Sequence, residues 1–333
     1  MKKNISAKKY KWPIIGLVIS AAIVIYTLTL NGKVLYFTFG LSKNEVMRVG
    51  SIEISSAAAN ILIADEKTRL IDLSDDRVLS DTVKGESIES YVNTSVKNRL
   101  SRVAALNEMA KTKGVVLSHT EKENAGKAAS EFYNALSDSD RAYTGASVED
   151  LEKMYTQFAI AQKMKKELTA GSTIEVSTDE ARVISIQFIC ADTEEKINDA
   201  KKELAKGTPF YNVAQSVNGS NEYTAELTRG QTDSEFENTA FSLTSGQVSN
   251  VIASNGKYYI IKCSSDNEQS KTDSNKVKLT AEKENKYFES KFLPFENSLY
   301  VEMNNGVWKK KSVAGAGRLS AHFDDYYNKF LDL

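Results

Sequence analysis

Two histidines, His119 and His322, and two cysteines, Cys190 and Cys263, are all that this 333-residue chain offers of the side chains that most readily move protons, attack carbonyls or hold metals. They are too few and too scattered for a metal site, whose ligands recur at short spacings. No Gly-x-Ser-x-Gly elbow and no His-Glu-x-x-His pair occurs, so hydrolysis lacks its usual nucleophile and metal. Gly315-x-Gly317 follows no strand and reads as a loop. His119 falls between Ser118 and Glu121, a capping-box pair, and reads as a solvated helix start. Cys190 and Cys263 each sit in an apolar strand-like run and read as buried free thiols. No metal and no cofactor is expected. What remains is aromatic. The stretch SNGKYYIIKC, residues 254–263, sets Tyr258 and Tyr259 between a glycine turn and an Ile260-Ile261 pair. Rings there can grip an apolar group, or simply pack.

The elements that must hold those rings follow from periodicity. Residues 46–73 begin with a short strand-like run, VMRVGSIEI, and continue into a helix through Ala57, Ile61, Leu62 and Ile63. Apolar positions recur at helical spacing from Ile88 to Leu106, and the Ser118 capping box opens another helix running through Leu136. Ser147 and Asp150 precede a third stripe, Leu151, Met154, Tyr155, Phe158, Ala161, Met164 and Leu168, closed by Gly171. At residue 176 the pattern changes. STDEARVISIQFIC is β-rich, KINDAKKELAKG, PFYNVAQSV and SEFENTAFSL read as helices, and Gly246 and Gly256 make turns before VSNVIAS and YYIIKC. The fold class is therefore α+β. A helical module spans 46–175, an antiparallel-sheet domain 176–266, and 267–333 holds a linker and C-terminal helices that return to the first module. DNEQSKTDSNK, 266–276, reads as that polar linker, and the helix after it is expected to break near Pro294. The aromatic, amphipathic tail SAHFDDYYNKFLDL should dock on other helices.

Composition is that of folded protein, with 26% charged and 41% hydrophobic residues. The net charge of −1 is unevenly spread. The first eleven residues carry five lysines and no acid, so the rest of the chain is acidic and offers no basic face to nucleic acid. Residues 13–30, PIIGLVISAAIVIYTLTL, contain no charge. At about 1.5 Å per residue that run nearly spans a hydrocarbon core of about 30 Å. Lys2, Lys3, Lys8, Lys9 and Lys11 would keep a 1–12 tail in the cytoplasm, with Trp12 and Tyr26 as interfacial anchors. No small-x-small site follows and no cysteine stands nearby for a lipid. A single transmembrane signal anchor is expected, with a cleaved signal peptide as the competing reading. The chain beyond about residue 35 then lies outside the cytoplasm.

Several motifs carry a resemblance. EFENTAFSLTSGQVSNVI, 235–252, followed by YYIIK, fits a family run of Phe-Glu, Ala-Phe-x-Leu, Gly-x-Val/Ile-Ser and a closing strand Gly-Tyr-His-Ile-Ile-Lys. Arg229-Gly230-Gln231 fits the turn before it, and AKGTPFYNVA fits Gly-x-x-Phe-x-x-x-Ala. On these residues 176–266 resemble the parvulin-type peptidyl-prolyl isomerase domain, and the whole chain resembles the PrsA-type and SurA-type extracytoplasmic foldases. Val307-Trp308-Lys309, after a helix with Pro294-Phe295, is similar to their C-terminal portion.

The resemblance implies two histidines in the site, and this domain has none. Counting nineteen residues back from Gly207 puts Phe188 at the first position, and Tyr259 falls at the second. Glu222-Tyr223-Thr224-Ala225 replaces the family's Gly-Asp-Leu-Gly turn. Of the residues that cup the proline ring, Phe236 is kept, while Thr232 stands for the usual Met and Thr224 for the usual Leu. Phe188 and Tyr259 are expected to face each other across adjacent strands, as an ordinary aromatic pair. Two readings stay open. In one, a foldase still isomerises X-Pro bonds in exported polypeptides, with Phe236 and Tyr259 lining the site. In the other, a non-catalytic holdase binds unfolded segments in an apolar cradle that includes Met154, Tyr155, Phe158, Phe288 and Phe292, although most of these side chains read more simply as intramolecular core. Either way the partners are newly exported chains and the membrane, not nucleic acid. A homodimer and a monomer are equally compatible with the sequence.

Overall fold

The computed structural model describes residues 40–73, 82–83, 85–313 and 315–331. The expected anchor, 13–30, lies outside them. Among the described residues no helix is long and apolar enough to cross a membrane. The chain divides into two units: one takes the residues up to Gly171 and those from Phe288 onward, the other Ser172–Tyr287.

The first unit opens with a hairpin, β1 (Glu45–Val49) and β2 (Ile52–Ser55), where a single short strand was expected. Gly50 is the reason. Its φ of 58° lies where side chains are strained, and a Cβ there would sit 2.9 Å from the Glu108 side chain. Then come α1 (Ser56–Leu73), a two-residue ladder of β3 (Thr82–Val83) with β4 (Glu86–Ser87), α2 (Ile88–Lys113), α3 (His119–Ala135), α4 (Asp138–Thr144) and α5 (Val148–Thr169). The Ser118–Glu121 and Ser147–Asp150 capping boxes both form, and His119 is exposed at the start of α3, as its place in the box implied.

The second unit runs through α6 (Thr178–Ala181), β5 (Val183–Ala191), α7 (Glu194–Ala205), α8 (Phe210–Asn218), β6 (Thr224–Thr228), α9 (Ser234–Ser242), β7 (Ile252–Ser254) and β8 (Lys257–Ser265). Its sheet is antiparallel in the order β6-β5-β8-β7. Side chains alternate faces along each strand. Ile184, Ile186 and Ile261 meet Phe236, Ala240 and Phe241 of α9 on one side. Ile189, Ala191 and Ile260 meet Ile197, Phe210 and Val213 of α7 and α8 on the other. Helices on both faces explain why β5 is a near-continuous apolar run.

The expected linker is a correction. Residues 269–276 are the first turns of α10 (Gln269–Glu296) rather than coil. The segment is pinned to β5: Glu268 N–H donates to the Val183 carbonyl at 2.8 Å, and Val183 N–H donates to Thr272 Oγ1 at 3.0 Å. Polar composition here reflects an exposed helix face. Pro294 does not break α10 either. It stands in the final turn, and the helix ends two residues later.

From Phe288 the chain rejoins the first unit's core. β9 (Val301–Met303) pairs with β1, and α11 (Asn305–Trp308) and α12 (Phe323–Leu331) follow. The tail docks as expected. Phe323 stacks on Tyr155 with ring centroids 4.3 Å apart, and Phe132 and Phe158 meet it edge-on at 6.0 and 5.0 Å. This overturns the apolar cradle as drawn: Met154, Tyr155, Phe288 and Phe292 are fully buried among their own unit's side chains, and Phe158 is half-buried against them.

Candidate functional site

The aromatic residues singled out by sequence converge on one face of the four-stranded sheet. A cleft of about 340 Å³ is lined by Phe188, Ala225, Leu227, Thr232, Phe236 and Tyr259, with Asp233 and Ser254 on its wall. Phe236 comes from the first turn of α9. Its ring lies edge-on to Tyr259 of β8, with centroids 5.1 Å apart and planes at 86°, an arrangement that puts one ring's positive edge on the other's negative face. A larger hollow of about 530 Å³ lies between α7 and α8. It is bordered by Lys196, Asp199 and Glu203 and brings no aromatic rings together, so it lacks the chemistry of the smaller cleft.

Strand register corrects two expectations. Phe188 pairs with Ile261 and Tyr259 with Cys190. Phe188 and Tyr259 are therefore diagonal neighbours on the same face, not a facing pair. The residue opposite Tyr259 is a half-buried thiol, where both cysteines were expected to be buried; Cys263 is. Thr224 pairs with Gln187 on the other face and is exposed. Ala225 and Leu227, opposite Ile186 and Ile184, fill the cleft instead. With a period of two, a one-residue offset moves a side chain to the other side of the sheet. Thr232 does line the cleft.

Asp233 is the polar residue that sequence reasoning passed over. It is the N-cap of α9 and accepts the Phe236 N–H at 3.3 Å. Its other oxygen accepts the Ser254 hydroxyl and, at 3.4 Å, the Asn255 amide. One carboxylate thus fixes the helix that presents Phe236 to the turn that presents Tyr259. An Asp directly ahead of SEFENTAFSL was the available signal. The turn itself has Asn255 at φ 49° and Gly256 at φ 75°, the two left-handed residues of a tight hairpin.

Two titrations set the site's electrostatics. The hydrogen bond from Ser254 holds the Asp233 carboxyl below the usual carboxylate range, so it is charged at neutral pH. Burial, then the neighbouring Cys190, pushes the Tyr259 hydroxyl up to about 12, so it keeps its proton and can donate a hydrogen bond. The cleft therefore offers aromatic rings, neutral donors that include Tyr259 and Thr232, and one negative charge. Nothing in it exchanges a proton near pH 7. Among the described residues no group of His, Cys, Asp and Glu could hold a metal.

The second unit is thus an antiparallel sheet covered by two helices on one face and one on the other, carrying an aromatic cleft. Residues 173–278 match the family model of the PPIC-type PPIASE domain. The match contains every strand of the sheet and every residue of the cleft. It also extends past 266 into α10, whose Thr272 accepts the Val183 N–H of β5. Among solved structures the chain is similar to the peptidylprolyl isomerase PrsA of Bacillus cereus, at 19% identity over 77% of this chain and 100% of that one, with a TM-score of 0.36. It is similar to the foldase protein PrsA of Streptococcus pneumoniae at 15% identity, over 69% and 96% of the two chains, TM-score 0.29. It is similar to a SurA-like chaperone of Campylobacter jejuni at 14% identity, over 78% and 99%, TM-score 0.28. No curated protein matches.

Proposed function

We propose that this chain is a foldase for exported polypeptides, held at the outer face of the membrane by residues 13–30, and that its PPIC-type domain grips X-Pro segments while isomerising them weakly. The observation that carries the reading is the cleft. Phe236 and Tyr259 make an apolar corner of a size suited to a proline ring, walled by Leu227, Ala225 and Phe188. The anchor rests on five lysines followed by eighteen uncharged residues.

Isomerisation breaks no covalent bond. Its barrier, about 18–20 kcal/mol, is the lost amide resonance. Lowering it requires groups that favour a twisted amide over a planar one. Burying the ring against Phe236 removes water from one side of the peptide bond. The protonated Tyr259 hydroxyl can donate to an oxygen or to the proline nitrogen as that nitrogen gains a lone pair. No imidazole stands beside it, since Phe188 supplies only a ring, so polar stabilisation of the twisted amide falls to neutral donors such as the Tyr259 and Thr232 hydroxyls. Binding survives that loss better than turnover does.

A protease-coupled assay on an Ala-Ala-Pro-Phe peptide tests the reading. Slow turnover that disappears in Phe236→Ala supports it. Turnover indifferent to Phe236→Ala, or suppression of client aggregation by a variant lacking 176–266 with no proline dependence in the parent, would replace it with the holdase reading.

A further inference from the structure

The cleft wall carries one charge that nothing neutralises. Asp233 is the only ionisable acid or base among the lining residues apart from the protonated Tyr259, and its partners are a hydroxyl, an amide and a backbone N–H, all uncharged. No ion pair among the described residues includes it. On the neighbouring hollow Lys257 and Asp192, 3.4 Å apart, offset each other. An unpaired carboxylate beside an apolar floor is felt more strongly than one on open surface, because low-dielectric walls concentrate its field.

Its position relative to the ring site is fixed by the helix. Asp233 precedes Phe236 by three residues, so a proline packed on the Phe236 ring lies within about one helical turn of the carboxylate. The side chains on either side of that proline must pass it. Building on the proline-gripping function proposed above, we propose that Asp233 makes this cleft selective for X-Pro segments flanked by lysine or arginine, and discriminates against those flanked by glutamate or aspartate. The substrates favoured are then basic stretches of unfolded chain.

The test measures binding of Ala-Xaa-Pro-Phe peptides, with Xaa as Lys, Gln or Glu, to the full-length protein at low and high salt. The order expected is Lys over Gln over Glu, with steps of about two- to fivefold at low salt that shrink as salt screens them. Asp233→Asn, which keeps the helix cap, should flatten the series, bringing the Lys, Gln and Glu peptides to one common affinity. Glu235→Gln, two residues along the helix from Asp233 and exposed, should leave the order intact. If the parent binds all three peptides equally and loses all three in Phe236→Ala, the selectivity is wrong while the cleft assignment stands. An order that persists in Asp233→Asn also overturns it. If no peptide binds the parent, the cleft assignment itself falls, and the selectivity with it.

Discussion

Replacing Phe323 by alanine removes the ring on which the first unit's returning segment is seated. Phe323 is fully buried, stacks on Tyr155 at 4.3 Å, and meets Phe132 and Phe158 edge-on. A buried phenylalanine cut to alanine costs about 3–5 kcal/mol through lost transfer energy and the cavity left behind. This site belongs at the upper end, because Phe132 and Tyr155 are held by long helices on two sides and cannot collapse into the gap. Set against a typical total of about 5–15 kcal/mol, the loss is a large part of the unit's stability. Trp308 is buried in the same core, so its fluorescence reports on this unit, best in a Trp12→Phe background. Urea unfolding of the full-length Phe323→Ala protein should show the Trp308 transition moved to markedly lower denaturant with its slope unchanged. Tyr155→Phe, which removes only the hydroxyl that donates to the Phe323 carbonyl at 3.1 Å, should cost about 1 kcal/mol. A Phe323→Ala transition within about 0.5 kcal/mol of the parent would mean that the C-terminal helix is not part of this core.

Other consequences are equally concrete. Asp140 is buried and accepts from Ser137 N–H, Ser320 N–H and the Ser320 hydroxyl. Burial alone would raise its carboxyl, but those hydrogen bonds outweigh it and hold the group below the ordinary value. Its contribution is then fully present above the unfolded aspartate value of about 3.9 and lost as pH falls through the lower folded value; Asp140→Asn should flatten that acid limb of a stability–pH curve. Thr272→Val keeps the side-chain shape but strips the hydroxyl that Val183 N–H donates to, and should cost the PPIC-type domain about 1–3 kcal/mol in thermal unfolding. Tyr259→Phe leaves the ring on Phe236 and removes the donor, so proline-peptide affinity should hold while turnover drops about three- to tenfold.

Much of this architecture can be read from residue order because local rules and global fold agree there. The Ser118 and Ser147 caps, the strand YYIIKC and the helix opened by Asp233 all form where their sequences place them. The errors at the cleft share a cause: they concern strand register and the face of the sheet a residue occupies. Thr224 and Ala225 differ by one position, yet only the second reaches the cleft, and nothing local to the chain distinguishes them. Phe188 meets Ile261 rather than Tyr259 because register is set by pairing across the sheet. The 269–276 helix was hidden by its composition, since what ties it to β5 is polar: the Glu268 N–H and the buried Thr272 hydroxyl, both bonded to Val183. Met154, Tyr155, Phe288 and Phe292 read more simply as core than as a groove, and the return of the chain after Phe288 completes that core.

The most direct test compares the affinity of the full-length protein for Ala-Ala-Pro-Phe and Ala-Ala-Ala-Phe, each with the parent and with Phe236→Ala. A ring-gripping corner of Phe236 and Tyr259 predicts that the parent prefers the proline peptide and that Phe236→Ala erases the preference. Equal affinity of the parent for both peptides would contradict it.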